Sequence, residues 1–317
     1  MLDRIWNSPW VLLVLGNLFW AGNIIVGRLV LGHVPPIALS FWRWVGAFCV
    51  ALCFAWPHLR KDWPVLRAHW KLMAVLAATG IAFFNTAAYI GLAGTTALNV
   101  LLLQSSMPLI VTLWALTLFG EIPSAWQIAG VMTSLLGVTF VAAHGSWEAL
   151  RALRFHTADL WILMAAAIYG IYVVLLRRRP NVHPLSFMQT AMGLGALMIA
   201  PFYLWDLREG ARITEPVSSW IGIAYMAVFP SFISYLFFNR GVQLIGGARA
   251  GQSTHLMPLF GSIMAVLFLG ESLHLYHLIG AILIGAGIGL AQMTAVPAGP
   301  MAGPTAGPTM GPTAGRP

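Results

Sequence analysis

Ten polar or aromatic side chains lie within long apolar stretches of the sequence, where they could form hydrogen bonds with a small polar ligand. Amide, hydroxyl, indole and imidazole groups need partners when they are surrounded by hydrocarbon. We therefore predict that they face the protein interior and line a substrate-binding cavity. The alternative for each of them is a hydrogen bond that joins two helices. The ten residues are Asn17, Trp20, Asn23, Asn85, Gln104, Ser105, Tyr169, Tyr172, Ser253 and His255.

Residues that interrupt a helical backbone accompany this polar set. Pro108, Pro230 and Pro258 lie inside apolar stretches, where each removes one backbone hydrogen bond and crowds the preceding turn. Gly80 occupies the position in the first half of the chain that corresponds to Pro230 in the second. Paired interruptions are a good sequence indication of a transporter site, and a simple kink accommodated by packing is the alternative. We assign these four residues a gating or structural role.

Arg43 is a charged residue inside an apolar stretch. It lies seven residues into the second stretch, about 10 Å along a helix axis. A charge at the centre of a membrane helix costs about 2.5–3.5 kcal/mol, and a position partway in costs less when the side chain reaches outward. Arg43 could bind a substrate carboxylate through two guanidinium nitrogens. It could also have a structural or gating role, which the family resemblance described below favours.

The sequence lacks the motifs of several enzyme and metal classes. It contains no HExxH, GxSxG or Walker A pattern, so we predict no enzyme, no cofactor and no metal site. All nine acidic residues fall at the ends of apolar stretches or in loops, and we expect no buried carboxylate. Cys49 and Cys53 lie four residues apart in one stretch and are interpreted as core packing residues.

Membrane-spanning helices must position these residues. Hydrophobic residues make up 59% of the chain and charged residues 8%, and the mean hydropathy is +0.81, far from the usual soluble mixture. A helix needs about 20 mostly apolar residues to cross the hydrocarbon core of a bilayer. The sequence thus predicts an all-α polytopic membrane protein embedded in the lipid bilayer. Its ten predicted transmembrane helices are 9–31, 37–56, 71–92, 97–119, 124–143, 158–177, 183–205, 218–239, 248–269 and 274–295.

The distribution of positive charge predicts the orientation of the chain. With a cytoplasmic N-terminus, eleven Lys and Arg residues fall on the cytoplasmic side and five on the outer side, as the positive-inside rule requires. These residues are scattered between the spans, so the formal charge of +8 does not indicate nucleic acid binding. The first apolar run is too long for the core of a cleavable signal peptide and should remain as the first span. Both termini are predicted to be cytoplasmic.

Two blocks of the sequence repeat one pattern 150 residues apart. Residues 107–137 match residues 257–287 without a gap at eight identical positions, which include Met-Pro-Leu at the start and a Gly-Glu pair. We predict two five-helix repeats, at 9–143 and 158–295, and a disordered Gly/Pro/Ala/Thr tail at 296–317. Because five is odd, the second repeat is inverted in the membrane. Inverted repeats are typical of secondary transporters, whose site lies between the halves.

The spans are expected to divide into cavity helices and packing helices. The first, third, fourth, sixth, eighth and ninth spans carry the paired interruptions and most embedded polar groups, so they should line the cavity. The fifth and tenth should pack through small residues. In the tenth, Ala281, Gly285 and Gly289 form a small-residue ridge, which is interpreted as packing within the chain. Homodimerisation is the alternative, and the protein is expected to be a monomer or a homodimer.

The sequence resembles the EamA-type drug/metabolite transporter superfamily. The similarity covers about residues 9–293 and rests on FWAGNIIVGRLV in the first span, PPIALSFWRW at the start of the second, and the two MPL…GE…G blocks. The resemblance implies ten transmembrane helices as two inverted five-helix repeats, in a bacterial inner membrane. In general shape and aromatic content the chain is also similar to the aromatic amino-acid exporter branch.

These observations predict a secondary transporter that exports small amphipathic metabolites, with amino acids that carry aromatic or other apolar side chains as the expected substrates. A membrane enzyme and a membrane scaffold are the alternative classes. Because no carboxylate is expected within the membrane, we expect facilitated movement by alternating access. Proton coupling through His255 is the alternative, because an unperturbed histidine has a pKa near neutrality and His255 lies deep in a candidate cavity span.

Reporter fusions test the predicted orientation. A reporter fused after Arg67 and one fused after Arg179 should both report the cytoplasm, because an even number of predicted spans precedes each position. The measurement is the activity of a compartment-sensitive reporter in cells. A periplasmic signal at either position would contradict the inverted repeat.

Overall fold

A computed structural model describes residues 5–104, 107–122, 124–142, 144–146, 148, 156–245, 253 and 256–293 of the chain. These residues are helical apart from short connections, and no strand occurs among them. The predicted all-α class is therefore confirmed. Ser105, His255 and the predicted tail at 296–317 lie outside the described residues.

In the first half of the described chain the helices follow the order expected of one repeat. The third helix contains a turn of π-helix at Ala78–Ala82, in which backbone hydrogen bonds join residues five apart instead of four. The helices are α1 (Pro9–Val30), α2 (Pro36–Ala68), α3 (Trp70–Gly94), α4 (Ala97–Gln104), α5 (Met107–Phe119) and α6 (Ala125–Ala142).

The second half follows the same order. Its longest helix contains the matching π turn at Phe229–Ile233, between the α-helical segments Pro216–Val228 and Ser234–Ile245. The helices are α7 (Thr157–Leu175), α8 (Pro184–Arg208), α9 (216–245), α10 (Leu256–Leu269) and α11 (Leu275–Gln292).

Six of these helices are long and apolar enough to cross a membrane, namely α1, α2, α3, α7, α8 and α9. Shorter apolar helices lie within α5, α6, α10 and α11. Large apolar side chains such as Leu197 and Leu267 are exposed on helix surfaces, as lipid-facing residues are. The chain is a multi-pass membrane protein, and the full count of ten spans remains a prediction.

One predicted helix boundary is wrong. The second span was expected at 37–56, but α2 continues through Pro57 and Pro64. Proline leaves a backbone carbonyl without its helical partner, and water can bind that carbonyl where the helix is exposed. The connection between α7 and α8 also stabilises this extension of α2, since Asp62 accepts a hydrogen bond from the backbone N–H of His183 at 3.0 Å.

The helix contacts repeat when the two halves are exchanged. α1 packs against the last part of α9, and α7 packs in the same way against the last part of α3. α10 packs against α1 as α5 packs against α7. The pairs α2–α8 and α6–α11 each join equivalent helices of the two halves. This is the arrangement expected of two copies of one unit related by a pseudo-twofold axis.

The repeated Gly-Glu pair ends a helix in each half. Gly120 follows α5 and has a φ of 67°, in the left-handed region that glycine adopts readily. The N–H of Glu121 then donates to the carbonyl of Ala115 at 3.4 Å, which forms a Schellman helix end. Gly270 and Glu271 repeat this geometry after α10, with a φ of 65° at the glycine. The repeated sequence therefore encodes a helix stop.

Repeated glycines let α6 and α11 meet backbone to backbone. A Cβ on Gly287 would lie 2.5 Å from the carbonyl oxygen of Gly130, and a Cβ on Gly137 would lie 2.9 Å from the carbonyl oxygen of Gly280. Gly130 and Gly280 are equivalent in the repeat, as are Gly137 and Gly287, so the pseudo-twofold axis generates one contact from the other. Small-residue packing of the fifth and tenth predicted spans is confirmed.

Two other packing predictions are wrong. Gly285 and Gly289 are exposed, with nothing within 4 Å of a Cβ built on either, so these two positions of the predicted ridge do not pack within the described chain, whereas Ala281 packs against the core. The contact with α6 uses the face that carries Gly287. Cys49 and Cys53 are exposed free thiols instead of core residues. Lipid is as apolar as a protein core, so apolar or small character alone does not identify the buried face of a membrane helix.

Replacing Gly287 by alanine should destabilise the protein, because the added Cβ forces α6 and α11 apart. Overpacking of this kind costs about 1–3 kcal/mol. Gly285→Ala is the matched control, since its Cβ meets open space. Thermal unfolding in detergent, followed by far-UV circular dichroism, should give a lower midpoint for Gly287→Ala and an unchanged or higher midpoint for Gly285→Ala. Equal midpoints would mean that the helices do not meet at Gly287.

Candidate functional site

The two π turns contain the two interrupting residues Gly80 and Pro230, which are both buried. A π turn shifts the helical hydrogen bonds and leaves backbone carbonyls without their usual partners. Surrounded by hydrocarbon, those carbonyls need other donors. The candidate site is built from the side chains that supply them.

Side chains near each π turn donate to its carbonyls. In α3, Asn85 Nδ2 donates to the carbonyl of Ile81 at 3.0 Å. In α9, Trp20 Nε1 from α1 donates to the carbonyl of Pro230 at 3.0 Å. Ser231 Oγ donates to a carbonyl of the preceding turn at 2.7 Å. Two predicted site residues, Asn85 and Trp20, therefore support the interrupted backbone directly.

Arg43 of α2 joins the two π turns. Its Nε donates to Ser231 Oγ at 2.7 Å, and its Nη1 donates to Asn85 Oδ1 at 2.8 Å. Nη1 also donates to the hydroxyl of Tyr89, which in turn donates to Asn23 Oδ1 in α1 at 3.1 Å. Arg43 is 4% exposed. One buried cation thus connects α1, α2, α3 and α9.

Every hydrogen-bond partner of Arg43 is electrically neutral. The ion pairs among the described residues are Arg177–Glu121 and His144–Asp159, and neither includes Arg43. Burying a charge without an opposite charge is costly, and neutral partners offset only part of the cost. Arg43 Nη2 has no hydrogen bond at all within the described chain.

A cavity lies next to Arg43, between α2, α3, α7, α8 and α9. It contains about 290 Å³ of empty space, counting its open mouth. Trp44 forms part of the wall, and its ring centroid lies 4.7 Å from Arg43 Cζ, within cation–π distance. The lining residues are Trp44, Gly80, Ile81, Tyr172, Phe187, Met188, Ala191, Met192 and Tyr235. Helices of both halves share this space.

Gly80 also makes room for a cavity residue. The ring of Tyr172, from α7, lies directly against Gly80, and a Cβ at this position would overlap the ring. The glycine therefore has two effects, because it belongs to the π turn and it lets Tyr172 reach the cavity wall. These two predicted site residues are in contact.

Other predicted site residues lie away from the cavity. Tyr169 packs beside Tyr172, with ring centroids 5.3 Å apart, and does not line the cavity. Asn17 is fully buried and donates to Ser253 Oγ at 3.0 Å, so these two predicted site residues bond to each other and do not line the cavity. Gln104 is the half-buried last residue of α4.

Two of the predicted interruptions lie at helix starts. Pro108 is the second residue of α5 and Pro258 is the third residue of α10. Proline is well tolerated in the first turn of a helix, where its missing N–H would have no helical partner. The residues just before each of these helices lie outside the described chain.

Sequence reasoning missed two helices that line the cavity. α2 contributes Trp44, and α8 contributes most of the apolar wall between 187 and 192. None of the described lining residues comes from α1, α4 or α10, which were predicted to contribute. The prediction followed embedded polar residues and interruptions, whereas this part of α8 offers aromatic and methionine side chains. A Phe-Met pair and a second Met four residues later were the available signal.

A second polar cluster lies where α4, α7 and α11 begin. Asp159, in the first turn of α7, is completely buried, and its Oδ1 accepts a hydrogen bond from Thr95 Oγ1 at 2.7 Å. Its Oδ2 lies 3.3 Å from His144 Nε2. Asn99 lies 3.2 Å from the same nitrogen and 3.1 Å from His277 Nε2. We call these five residues the Asp159 cluster.

The expectation of no buried carboxylate is therefore wrong. Asp159 does lie at the end of a helix, as the sequence indicated. Three helix starts and the turn at His144 close over it, and Thr95 supplies the donor that a buried carboxylate requires. The position of an acid at a span end does not reveal how neighbouring connections cover it.

The two repeated glutamates make different contacts. Glu271 accepts hydrogen bonds from the backbone N–H groups of Ala97 at 2.7 Å and Leu98 at 3.0 Å, so it caps the start of α4 in the other half. Glu121 forms an ion pair with Arg177 at the opposite end of the bundle. Contacts between the two halves therefore occur at both ends of the bundle, through Glu271 at the end that contains the Asp159 cluster and through Glu121 and Arg177 at the other end.

The fold and the site define a class of protein. Two equivalent helical halves meet at a cavity, and each half contributes one interrupted helix, an arrangement typical of membrane transporters. Comparison with known proteins then gives the family. The chain matches the EamA-like transporter family over residues 8–143 and again over residues 156–293, and it belongs to this family.

The chain is also similar to individual transporters. It is 25% identical to the uncharacterized transporter YyaM of Bacillus subtilis over 282 residues, which are 88% of this chain and 92% of the relative. It is 26% identical over 292 residues to a probable terminal-alkyne amino-acid exporter of Streptantibioticus cattleyicolor, with 90% and 94% covered. The uncharacterized inner membrane transporter YicL of Salmonella typhimurium is 23% identical over 258 residues, with 80% and 84% covered. A solved crystal structure with 19% identity matches 90% of this chain and 96% of its own, with a TM-score of 0.58, and shows the same fold.

Removing the Asp159 carboxylate should destabilise the closed end of the bundle. Asp159→Ala leaves the buried Thr95 hydroxyl and the His144 ring without their acceptor, at a cost of about 1–3 kcal/mol. Asp159→Asn keeps an acceptor for Thr95 and should cost less. Thermal unfolding measures the change, and Glu209→Ala is the control because it removes an exposed carboxylate at the same end. A midpoint for Asp159→Ala equal to that of the control would show that the cluster does not hold this end.

Proposed function

We propose that the protein is a secondary transporter of the bacterial inner membrane that exports small amphipathic metabolites, with amino acids that carry aromatic or other apolar side chains as the preferred substrates. The observation that carries this proposal is the cavity beside two π turns. Each half of the chain contributes one of these turns. Family membership supports transport. The relative named as an amino-acid exporter supports the substrate class, and the relative named as an inner membrane transporter supports the location.

The chemistry of the cavity suits a small amphipathic solute. Phe187, Met188 and Met192 offer an apolar wall in which the thioethers adapt to different shapes. Tyr172 and Tyr235 add polar hydroxyls to the lining.

Alternating access follows from the relation between the halves. The Asp159 end is closed by the Asp159 cluster and by the capping of α4 by Glu271. The distribution of Lys and Arg assigns this end to the outer side of the membrane. In the proposed cycle, substrate enters the cavity from the cytoplasm when the contact between Arg177 and Glu121 at that end separates, and it leaves when the halves rock and the contacts of the Asp159 end separate.

The proposed transport is facilitated movement down the substrate gradient. Arg43 is the charged group beside the cavity, and an arginine stays protonated in proteins. The buried carboxylate of Asp159 belongs to the closed end and not to the cavity lining. Proton coupling through His255, which lies outside the described residues, is the alternative.

Trp20→Ala and Tyr169→Ala should impair transport more than Cys49→Ala at equal expression. Trp20 holds the carbonyl of Pro230 in the α9 π turn, and Tyr169 supports Tyr172 at the cavity wall, whereas Cys49 is exposed. We expect export to fall by about tenfold in the first two variants, equivalent to the loss of about 1.4 kcal/mol. Amino-acid release and resistance to toxic analogues of apolar amino acids in overproducing cells are the measurements.

Two outcomes would contradict the proposal in different ways. Unchanged resistance to a broad analogue panel, with the wild type well inserted, would exclude export of this substrate class. Equal export by all three variants would show that the site lies elsewhere in the molecule.

A further inference from the structure

Several hydrogen-bond donors in the cavity wall or directly behind it have no partner among the described residues. Trp44, which lines the cavity, has a buried Nε1 that forms no hydrogen bond within the part of the chain that the structure describes. Arg43 Nη2, on the guanidinium that packs on the Trp44 ring, forms no hydrogen bond within the described residues. The hydroxyls of Tyr172 and Tyr235, which line the same cavity, also have no hydrogen bond to the described part of the chain.

Unused donors at a cavity indicate a ligand that brings acceptors. Buried polar groups are nearly always hydrogen-bonded in native proteins, so each exception needs a reason. An indole N–H and a guanidinium N–H can only donate. A carboxylate is the acceptor that matches a guanidinium best in charge and in geometry.

The charges around the cavity favour an anion over a cation. None of the lining residues that the structure describes is acidic. An ammonium group in the cavity would find no counter-charge there and would be repelled by Arg43.

We propose that the cavity is a carboxylate-binding site in which Arg43 Nη2 and Trp44 Nε1 donate to the carboxylate. Phe187, Met188 and Met192 contact the hydrocarbon part of the ligand. The inference rests on the proposed function and narrows it, because the recognised class becomes amphipathic monocarboxylates in which an α-amino group is dispensable.

Arg43 then has two roles that use different nitrogens. Its Nε and Nη1 hold Ser231 and Asn85 beside the two π turns, and its Nη2 binds the ligand. A carboxylate also supplies the opposite charge that the protein does not provide to Arg43. Ligand binding is therefore linked through one side chain to the interrupted helix of each half.

Binding to the purified protein tests the site without reference to transport. Four compounds share a phenyl group: phenylpropionate carries only the carboxylate, L-phenylalanine carries both charged groups, phenethylamine carries only the ammonium, and phenylpropanol carries neither. Isothermal titration calorimetry in detergent should show binding of the two acids. The amine and the alcohol should bind at least about tenfold more weakly, because hydrogen bonds to a charged group are lost.

Two variants assign the effect to the named donors. Trp44→Phe removes the indole N–H and keeps an aromatic ring, and it should weaken phenylpropionate binding by about tenfold. Trp42→Phe is the matched control, because Trp42 Nε1 donates to the hydroxyl of Tyr203 at 3.1 Å, outside the cavity, and the affinity should stay unchanged. Arg43→Gln should remove the preference for the acid over the alcohol, with circular dichroism to verify that the variant is folded.

The outcomes separate this inference from the proposed function. Equal affinity for phenethylamine and phenylpropionate, no binding of either acid, or unchanged acid affinity in Trp44→Phe would overturn the carboxylate site. Counterflow of labelled L-phenylalanine and phenylpropionate in proteoliposomes tests transport. Acid-selective binding without counterflow would contradict transport and support the site, whereas equal counterflow of phenethylamine would support transport and contradict the site.

Discussion

The constraint on which the structure depends is that backbone carbonyls inside a membrane must have donors. Two π turns, at Gly80 and Pro230, interrupt the α-helical hydrogen bonds. The carbonyls that lose their helical partners accept hydrogen bonds from Asn85 and Trp20. Arg43 connects the supports of the two turns through neutral partners. Because no carboxylate neutralises this cation within the described residues, the same centre that stabilises both interrupted helices also carries an unmatched positive charge beside the cavity. Stability and ligand recognition thus come from one side chain.

Among the features that depend on backbone geometry, the interruptions at Gly80 and Pro230 were predicted from the sequence, whereas the roles of the other repeated residues became clear only in the structure. The Gly-Glu pairs are helix ends, the repeated glycines form the contact of α6 with α11, and Gly80 and Pro230 both lie in π turns. Each of these features follows from what glycine or proline does to a main chain, which the sequence states directly.

Features that depend on which face of a helix is buried could not be predicted in the same way. Cys49 and Gly285 are exposed although they are small and apolar, and the Met188 region lines the cavity although it contains no interruption. In a bilayer both faces of a helix favour apolar residues, so hydrophobicity does not separate lipid contact from core packing. Asp159 is buried by the connections between helices, and the hydrophobic periodicity of a sequence does not predict the path of such connections. The resemblance identified the family, but the hydrogen-bond donors at the cavity could be located only in the structure.

The glycine contact of α6 with α11 restricts how the two halves can move. Helices that touch through backbone atoms cannot slide along each other without collision, but they can turn about their line of contact. The contact of α2 with α8 includes a long side chain, Phe48 against Gly193, which can change rotamer as these helices separate. We therefore expect the two halves to rotate about the contact of α6 with α11, so that they separate at the cavity.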